Sequence, residues 1–224
     1  VPQLFFGISL VAACLAANLS APPVEGWQAI RSSSGDLDGD GIQDLAVVYR
    51  GLDPGQKVTT SLPFFDELAE GRLLVDRNPR KLVVYLQRAE GLTEIATAPW
   101  LVPASSVIEG EHLEHLTIRS GKLELGLLFM NRRHGEVAGR HLYEFAWDGK
   151  DLGLEHLYLT HFDRYLEGQQ QRLHYDLKRG QMSLQRYRFS DQAFLSEEKG
   201  RIVKQKPGLE ELTPEWRPPA FVER

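Results

Sequence analysis

Cysteine is almost absent from this sequence. The single one, Cys14, leaves no partner for a disulfide within the chain. It sits inside an apolar opening segment, so everything after it is free of cysteine. That is compatible with an oxidising compartment, and it excludes thiol catalysis unless Cys14 itself survives in the mature protein. An excess of positive charge is also missing. The formal net charge is -5 and the pI is near 5.8, which argues against a nucleic-acid partner, since phosphates need a basic face. After the opening segment no apolar run is long enough for a transmembrane helix. There is no GxSxG elbow, no Walker loop and no GxGxxG following a strand. Nothing repeats at a fixed period.

What remains is an ordinary globular composition, 42% hydrophobic and 25% charged, sufficient to bury a core without covalent staples. From Leu4 to Ala17 the chain reads LFFGISLVAACLAA and carries no charge, and the polar NLSAPPVEGW follows. An apolar run of this length followed by small residues has the form of a secretory signal peptide. Val11-Ala12-Ala13-Cys14 resembles a bacterial lipobox, which would make Cys14 a lipid anchor. An uncleaved membrane anchor is the third alternative, because Leu4 to Ala21 barely spans a bilayer. Val1-Pro2-Gln3 supplies none of the Lys or Arg usual at the start of such a leader. The expectation is an exported protein, periplasmic, secreted or held at the outer membrane, with a leader over 1–24, a β domain over 25–195 with an insertion at 51–80, and an irregular charged tail over 196–224.

Strand signals recur through the middle of the chain. Trp27–Arg31, Leu45–Tyr49, Lys81–Arg88, Leu92–Thr97, Leu113–Arg119, Lys122–Met130, His141–Trp147, Leu152–Phe162, Arg172–Leu177 and Met182–Phe189 are short runs rich in apolar and β-branched residues. Ser120-Gly121, Asp148-Gly149 and Arg179-Gly180 mark turns between them. The pattern predicts a mainly β fold, an antiparallel meander forming a sandwich or barrel-like sheet, with Leu45, Val47, Val83, Tyr85, Ile118, Leu125, Phe145 and Leu157 in the core. Gly51 to Arg80 is punctuated by proline and glycine and reads as a surface insertion, with a helical turn or two at Phe64–Glu70. Of the aromatics, Tyr143 and Trp147 share an alternating face with Phe145 and read as core, while Tyr165 is the better candidate for a ligand-stacking surface. The tail is expected to lie across the sheet through Trp216 or Phe221.

One segment carries organised chemistry. In Gly35-Asp36-Leu37-Asp38-Gly39-Asp40-Gly41-Ile42-Gln43-Asp44 the acids stand at alternate positions, so Asp36, Asp38 and Asp40 can converge on one point. Ca²⁺ is a hard cation that takes six to eight oxygens, and clustered carboxylates without a cation repel one another. Gly41 allows the tight curl, the carbonyl of Ile42 turns inward while its side chain points to the core, and Asp44 closes the site. The spacing is that of an EF-hand loop up to its ninth position, without the closing Glu and with strands as flanks. The loop therefore resembles the calcium loops of FG-GAP and VCBS-type repeats. Together with NPRKLVVYLQ, LTIRSGKLEL, HLYEFAWDGKDLGLEHLYLTHF and LHYDLKRGQMSL, it is similar to a group of exported bacterial proteins that combine one such loop with later β-hairpins. The resemblance runs from about Gly35 to Leu184. It implies the fold, the compartment and calcium at the matching Asp positions, and no reaction.

Other constellations are weaker. Glu111-His112-Leu113-Glu114-His115 is neither HExxH nor HxxEH; on a strand the two imidazoles point to opposite faces, and the segment reads as solvated polar residues. Acids such as Glu109 and Glu111 are too common to specify a glycosidase. Three function classes follow: an envelope or secreted binding domain whose partner is an envelope protein or glycan, an envelope hydrolase with scattered residues, and a structural assembly part. The calcium loop favours a non-catalytic role.

Overall fold

A computed structural model describes residues 19–61, 72–104, 112–130, 137–163, 168–188, 190–213 and 216. The leader before Leu19, the helical turns expected within 62–71, Tyr165 and Phe221 lie outside these residues. In chain order the strands are β1 (Trp27–Gly35), β2 (Asp44–Gly51), β3 (Lys57–Ser61), β4 (Arg72–Asp76), β5 (Arg80–Arg88), β6 (Gly91–Ala98), β7 (Leu113–Arg119), β8 (Lys122–Met130), β9 (Val137–Trp147), β10 (Leu152–Asp163), β11 (Gln169–Asp176), β12 (Gln181–Arg188) and β13 (Phe194–Arg201). No α-helix occurs among the described residues. The protein is mainly β, as its alternating sequence requires.

All pairings are antiparallel. A four-stranded sheet runs β1-β2-β5-β6, a seven-stranded meander runs β7 through β13 in chain order, and β3 pairs with β4 alone. Among the described residues the β7–β8 turn shows how one such strand reverses into the next. Ser120 and Gly121 both take positive φ, 52° and 72°, the conformation that a two-residue hairpin turn needs to match strand twist.

The two sheets face each other across one core. Ala46, Val48, Leu82 and Val84 project from the small sheet, and Leu123, Leu125, Tyr143, Phe145 and Leu157 from the large one. They are at most 1% exposed, so the layers form a sandwich rather than a closed barrel. The alternate residues Leu45, Val47, Tyr49, Val83 and Tyr85 point the other way and make a second buried cluster, covered by Leu19, Ala21 and Val24 of the segment before β1 and by Trp27 at its start. This is why β2 reads as a continuous apolar run: it is buried on both faces. All eight anticipated core residues are buried.

Two expectations are revised. The segment from Ser196 is not irregular throughout: Phe194–Arg201 adds β13 to the large sheet. Its Glu197, Glu198, Lys199 and Arg201 are the charged side chains of an edge strand rather than a mark of disorder. Beyond it Ile202, Leu209 and Leu212 are buried and Trp216 packs on the core, as the tail reading held for Trp216. The 51–80 insertion contains a hairpin, β3–β4, fastened at its base by Asn78, which is fully buried. The Asn78 side chain accepts from the Asp53 N–H at 2.8 Å and donates to the Asp53 carbonyl at 3.0 Å.

Candidate metal centre

The acidic loop closes the β1–β2 hairpin, with Gly35 and Asp44 as the last paired residues. Gly39 and Gly41 take φ of +82° and +84°, a region open to glycine and costly for other residues. With the chain curled there, the carboxylate of Asp36 accepts from the N–H groups of Gly39 at 2.7 Å and Gly41 at 3.0 Å. Asp38 accepts from Asp40 N–H at 3.3 Å, and Asp40 from Ile42 N–H at 2.7 Å. One oxygen from each of Asp36, Asp38 and Asp40 lies within 4.8 Å of the other two. The three acids can together hold a metal ion.

Asp44 is placed differently. It is fully buried, and its two oxygens accept from main-chain N–H groups, Leu37 at 2.8 Å and Gln87 on β5 at 2.9 Å. Burial pushes its carboxyl above the ordinary range, against those two hydrogen bonds and aided by the charge of Asp38. Asp44 thus ties the loop to the third strand of the sheet. The Ile42 side chain does not enter the core: it is 47% exposed, whereas Leu37 is 2% exposed and packs in the main core. The Ile42 N–H is turned to Asp40, and Leu37, held from below by Asp44, takes the inward position.

A fourth participant comes from β5. Arg88 Nη1 donates to Asp38 Oδ2 at 2.6 Å and lies 3.4 Å from Asp40 Oδ2. Burial pushes Asp38 up, but the Arg88 guanidinium and the Asp40 N–H outweigh it and hold the carboxyl below its usual value. Arg88 escapes sequence reading because only the β2–β5 register, with Leu45 opposite Tyr85, brings it beside a loop some fifty residues earlier.

Five imidazoles among the described residues fall in two groups. His112 is buried, 2% exposed, with Nδ1 2.9 Å from the Leu128 carbonyl, so it is not a solvated residue ahead of a strand. It borders Phe129 and, beyond it, His141 and His161. On the opposite face of the large sheet His156 and His174 meet, with Tyr158 stacked on His174 at 4.3 Å. Tyr143 and Trp147 belong to the core or pack against it, as expected of the alternating face. No protein-family model matches the chain, and the comparisons with curated proteins and with solved structures found no match.

Proposed function

We propose that this protein is an exported, non-catalytic binding or assembly module whose acidic hairpin loop takes one calcium ion as a structural staple. The observation that carries the reading is the convergence of the Asp36, Asp38 and Asp40 carboxylates. The donor set is all oxygen and strongly anionic, which suits a hard cation and not a thiophilic or imidazole-seeking one. The Ile42 carbonyl and water would complete the shell, and Asp44 would support it from below while serving Leu37 and Gln87. The loop lies at the junction of β1, β2 and β5, so an ion there adds stability to the small sheet. Export rests on the apolar leader, with Cys14 as the candidate lipid anchor, and an envelope protein or glycan is the proposed partner.

The test is thermal unfolding of the wild type and of Asp40→Ala, each in excess EGTA and in millimolar Ca²⁺. Extracellular modules bind with Kd of about 10⁻⁴–10⁻³ M, and ion at a hundred times Kd adds about 2.7 kcal/mol. The wild-type midpoint should rise with calcium and that of Asp40→Ala should rise much less. Mg²⁺ should substitute poorly, since it demands stricter geometry. A wild-type midpoint indifferent to calcium, with a silent calorimetric titration, would leave the loop an acidic turn closed by Arg88.

A further inference from the structure

We infer that the outer face of β11, β12 and β13 is a binding site for an acidic saccharide, a sugar carrying a carboxylate or a phosphate. Resting on the binding role proposed above, the site specifies the chemistry of the glycan partner and needs no calcium.

The strand register builds the site. Leu173, Tyr175, Met182 and Leu184 turn to the core, so the residues that alternate with them face outward. His174, Ser183 and Lys199 stand in one row across the three strands, and Asp176, Gln181 and Arg201 in the next. Together with Arg179 of the β11–β12 turn they line a groove of about 680 Å³, within the roughly 300–1,000 Å³ of small-ligand sites. Three strands side by side give a floor roughly 10 Å wide, the scale of one or two sugar rings.

The charges select an anion. The chain as a whole carries a net charge of -5, yet Arg179, Lys199 and Arg201 gather here against Asp176 and Glu197. Both carboxylates are already engaged. Asp176, 6% exposed, accepts the Arg179 N–H at 2.8 Å, and Glu197 accepts from Gln185 at 3.0 Å and lies 3.1 Å from Lys199. The Arg179 guanidinium comes only within 3.5 Å of Asp176, and the Arg179 and Lys199 side chains are each 75% exposed, which leaves most of their donors to a ligand. Among the described residues the side chains of Arg201, Gln181 and Ser183 have no hydrogen-bond or ion-pair partner. Lys204 packs over the same turn, beside Gly180, and extends the positive rim. A guanidinium meets a carboxylate or phosphate with two parallel N–H bonds. The amide and hydroxyl beside it suit sugar hydroxyls, and these uncharged groups among the cations favour a saccharide over an acidic peptide.

The experiment titrates the full chain with trigalacturonate, with the neutral galactose trisaccharide and with galactose 6-phosphate, in excess EGTA so that no calcium bridges a uronate. Calorimetry reads the affinity and amide chemical shifts read the place. Binding of either acidic sugar with shifts on β11–β13 supports the site, and the tighter of the two tells carboxylate from phosphate. The neutral trisaccharide should bind at least about tenfold more weakly. Arg201→Ala should weaken acidic-sugar binding by about tenfold or more, and Arg201→Lys by less. Lys178→Ala removes the same charge from a neighbouring side chain held by Glu155 at 2.9 Å, and should change affinity less than about twofold. Equal losses in Arg201→Ala and Lys178→Ala, or shifts confined to other strands, overturn the site while leaving the protein a glycan binder. Silence with both acidic sugars overturns the proposal; if the neutral trisaccharide binds in their place, the binding role stands without it. Tighter binding of a hexaglutamate peptide overturns the choice of a saccharide. The shift map is read on the wild type, so it decides even where a variant fails to fold.

Discussion

Asp44 links two strands through one carboxylate, accepting the Leu37 N–H with one oxygen at 2.8 Å and the Gln87 N–H with the other at 2.9 Å. The acid is fully buried, and hydrogen bonds to a charged group contribute about 1.5–3 kcal/mol. Asp44→Asn keeps the shape but turns an NH₂ toward one of the two donors. The variant should lose about 2–3 kcal/mol, a fall in midpoint of roughly 4–12 °C for a chain of this size. Differential scanning calorimetry in EGTA checks this without any contribution from a metal.

Arg88 sets the affinity of the loop for its ion. Its guanidinium occupies the Asp38 and Asp40 oxygens that a cation would use, and it is 39% exposed, so the pair is partly screened. Exposed ion pairs are worth up to about 1 kcal/mol. Arg88→Met should therefore tighten calcium binding by up to about fivefold while lowering stability in EGTA. Calorimetric titration of the variant reads both the size and the sign. A weaker affinity would mean that Arg88 stays on Asp38 beside the bound ion.

Much of the fold is legible in the sequence because period-two runs and glycine turns are local signals, and a meander needs little else. Val47 announces its burial by a continuous apolar run and Phe145 by alternation, and Asp36, Asp38 and Asp40 announce their convergence by spacing. The edge strand β13 is not legible, since its exposed Glu and Lys look like a charged tail until Arg186 and Gln185 of β12 pair with it. Arg88 is hidden for the same reason: its neighbours are set by register between distant strands. His156 meets His174 only through the β10–β11 register, which sets Tyr158 opposite His174 and His156 opposite Asp176. Ile42 misleads because hydrophobicity alone points inward, whereas the turn fixed by Asp40 points it out.

Asn78 controls an acid-sensitive joint at the base of β3–β4. Its main-chain N–H and its side-chain amide both donate to Asp76 Oδ1, at 3.0 and 2.7 Å, and Arg50 lies 3.1 Å from Asp76 Oδ2. Burial pushes the Asp76 carboxyl up, but the Asn78 donors and Arg50 hold it below its usual value. A depressed folded value means stability that is fully present above the unfolded pKa, about 3.9, and lost as pH falls through the folded one. Asn78→Ala should cost about 2–4 kcal/mol near neutrality and shrink this acid-dependent part. Carboxyl titration by nuclear magnetic resonance, with unfolding curves between about pH 2 and 6, tests both claims.

The segment before β1 is part of the fold. Leu19, Ala21 and Val24 help cover the second apolar cluster beside Trp27 of β1, and Tyr49 donates its hydroxyl to the Pro22 carbonyl at 2.8 Å. Relative to a chain that starts at Leu19, one that starts at Glu25 exposes Tyr49, Val47 and Val83. Uncovering one to two large side chains costs about 2–4 kcal/mol. Denaturant unfolding of the two truncations distinguishes them, and the longer deletion should also bind a hydrophobic dye.

The last prediction concerns the seam where the sheets meet. β1 and β7 are edge strands of different sheets, and an edge leaves main-chain groups without a strand partner. At this seam the Ile118 N–H donates to Ser33 Oγ at 3.0 Å. Two residues on, Gly35 lets the strands close in: a Cβ there would stand 2.5 Å from the Ile118 carbonyl oxygen and 2.9 Å from its Cγ2. Main chain cannot swing aside as a side-chain tip can, so Gly35→Ala must push β1 off β7. Overpacking of this kind costs about 1–3 kcal/mol. Gly126→Ala is the internal contrast, because the three atoms nearest its Cβ would all belong to the His115 ring, the first at 2.3 Å, and a side-chain ring can turn where main chain cannot. Ser33→Ala, which leaves the Ile118 N–H unpaired, should cost about 1–3 kcal/mol. Because Ser33 and Gly35 act on the same contact, the double variant should lose less than the sum of the two. Unfolding free energies of the three single variants and the double measure this directly. Strict additivity, or a Gly126→Ala cost equal to that of Gly35→Ala, would show that the seam does not join the two sheets.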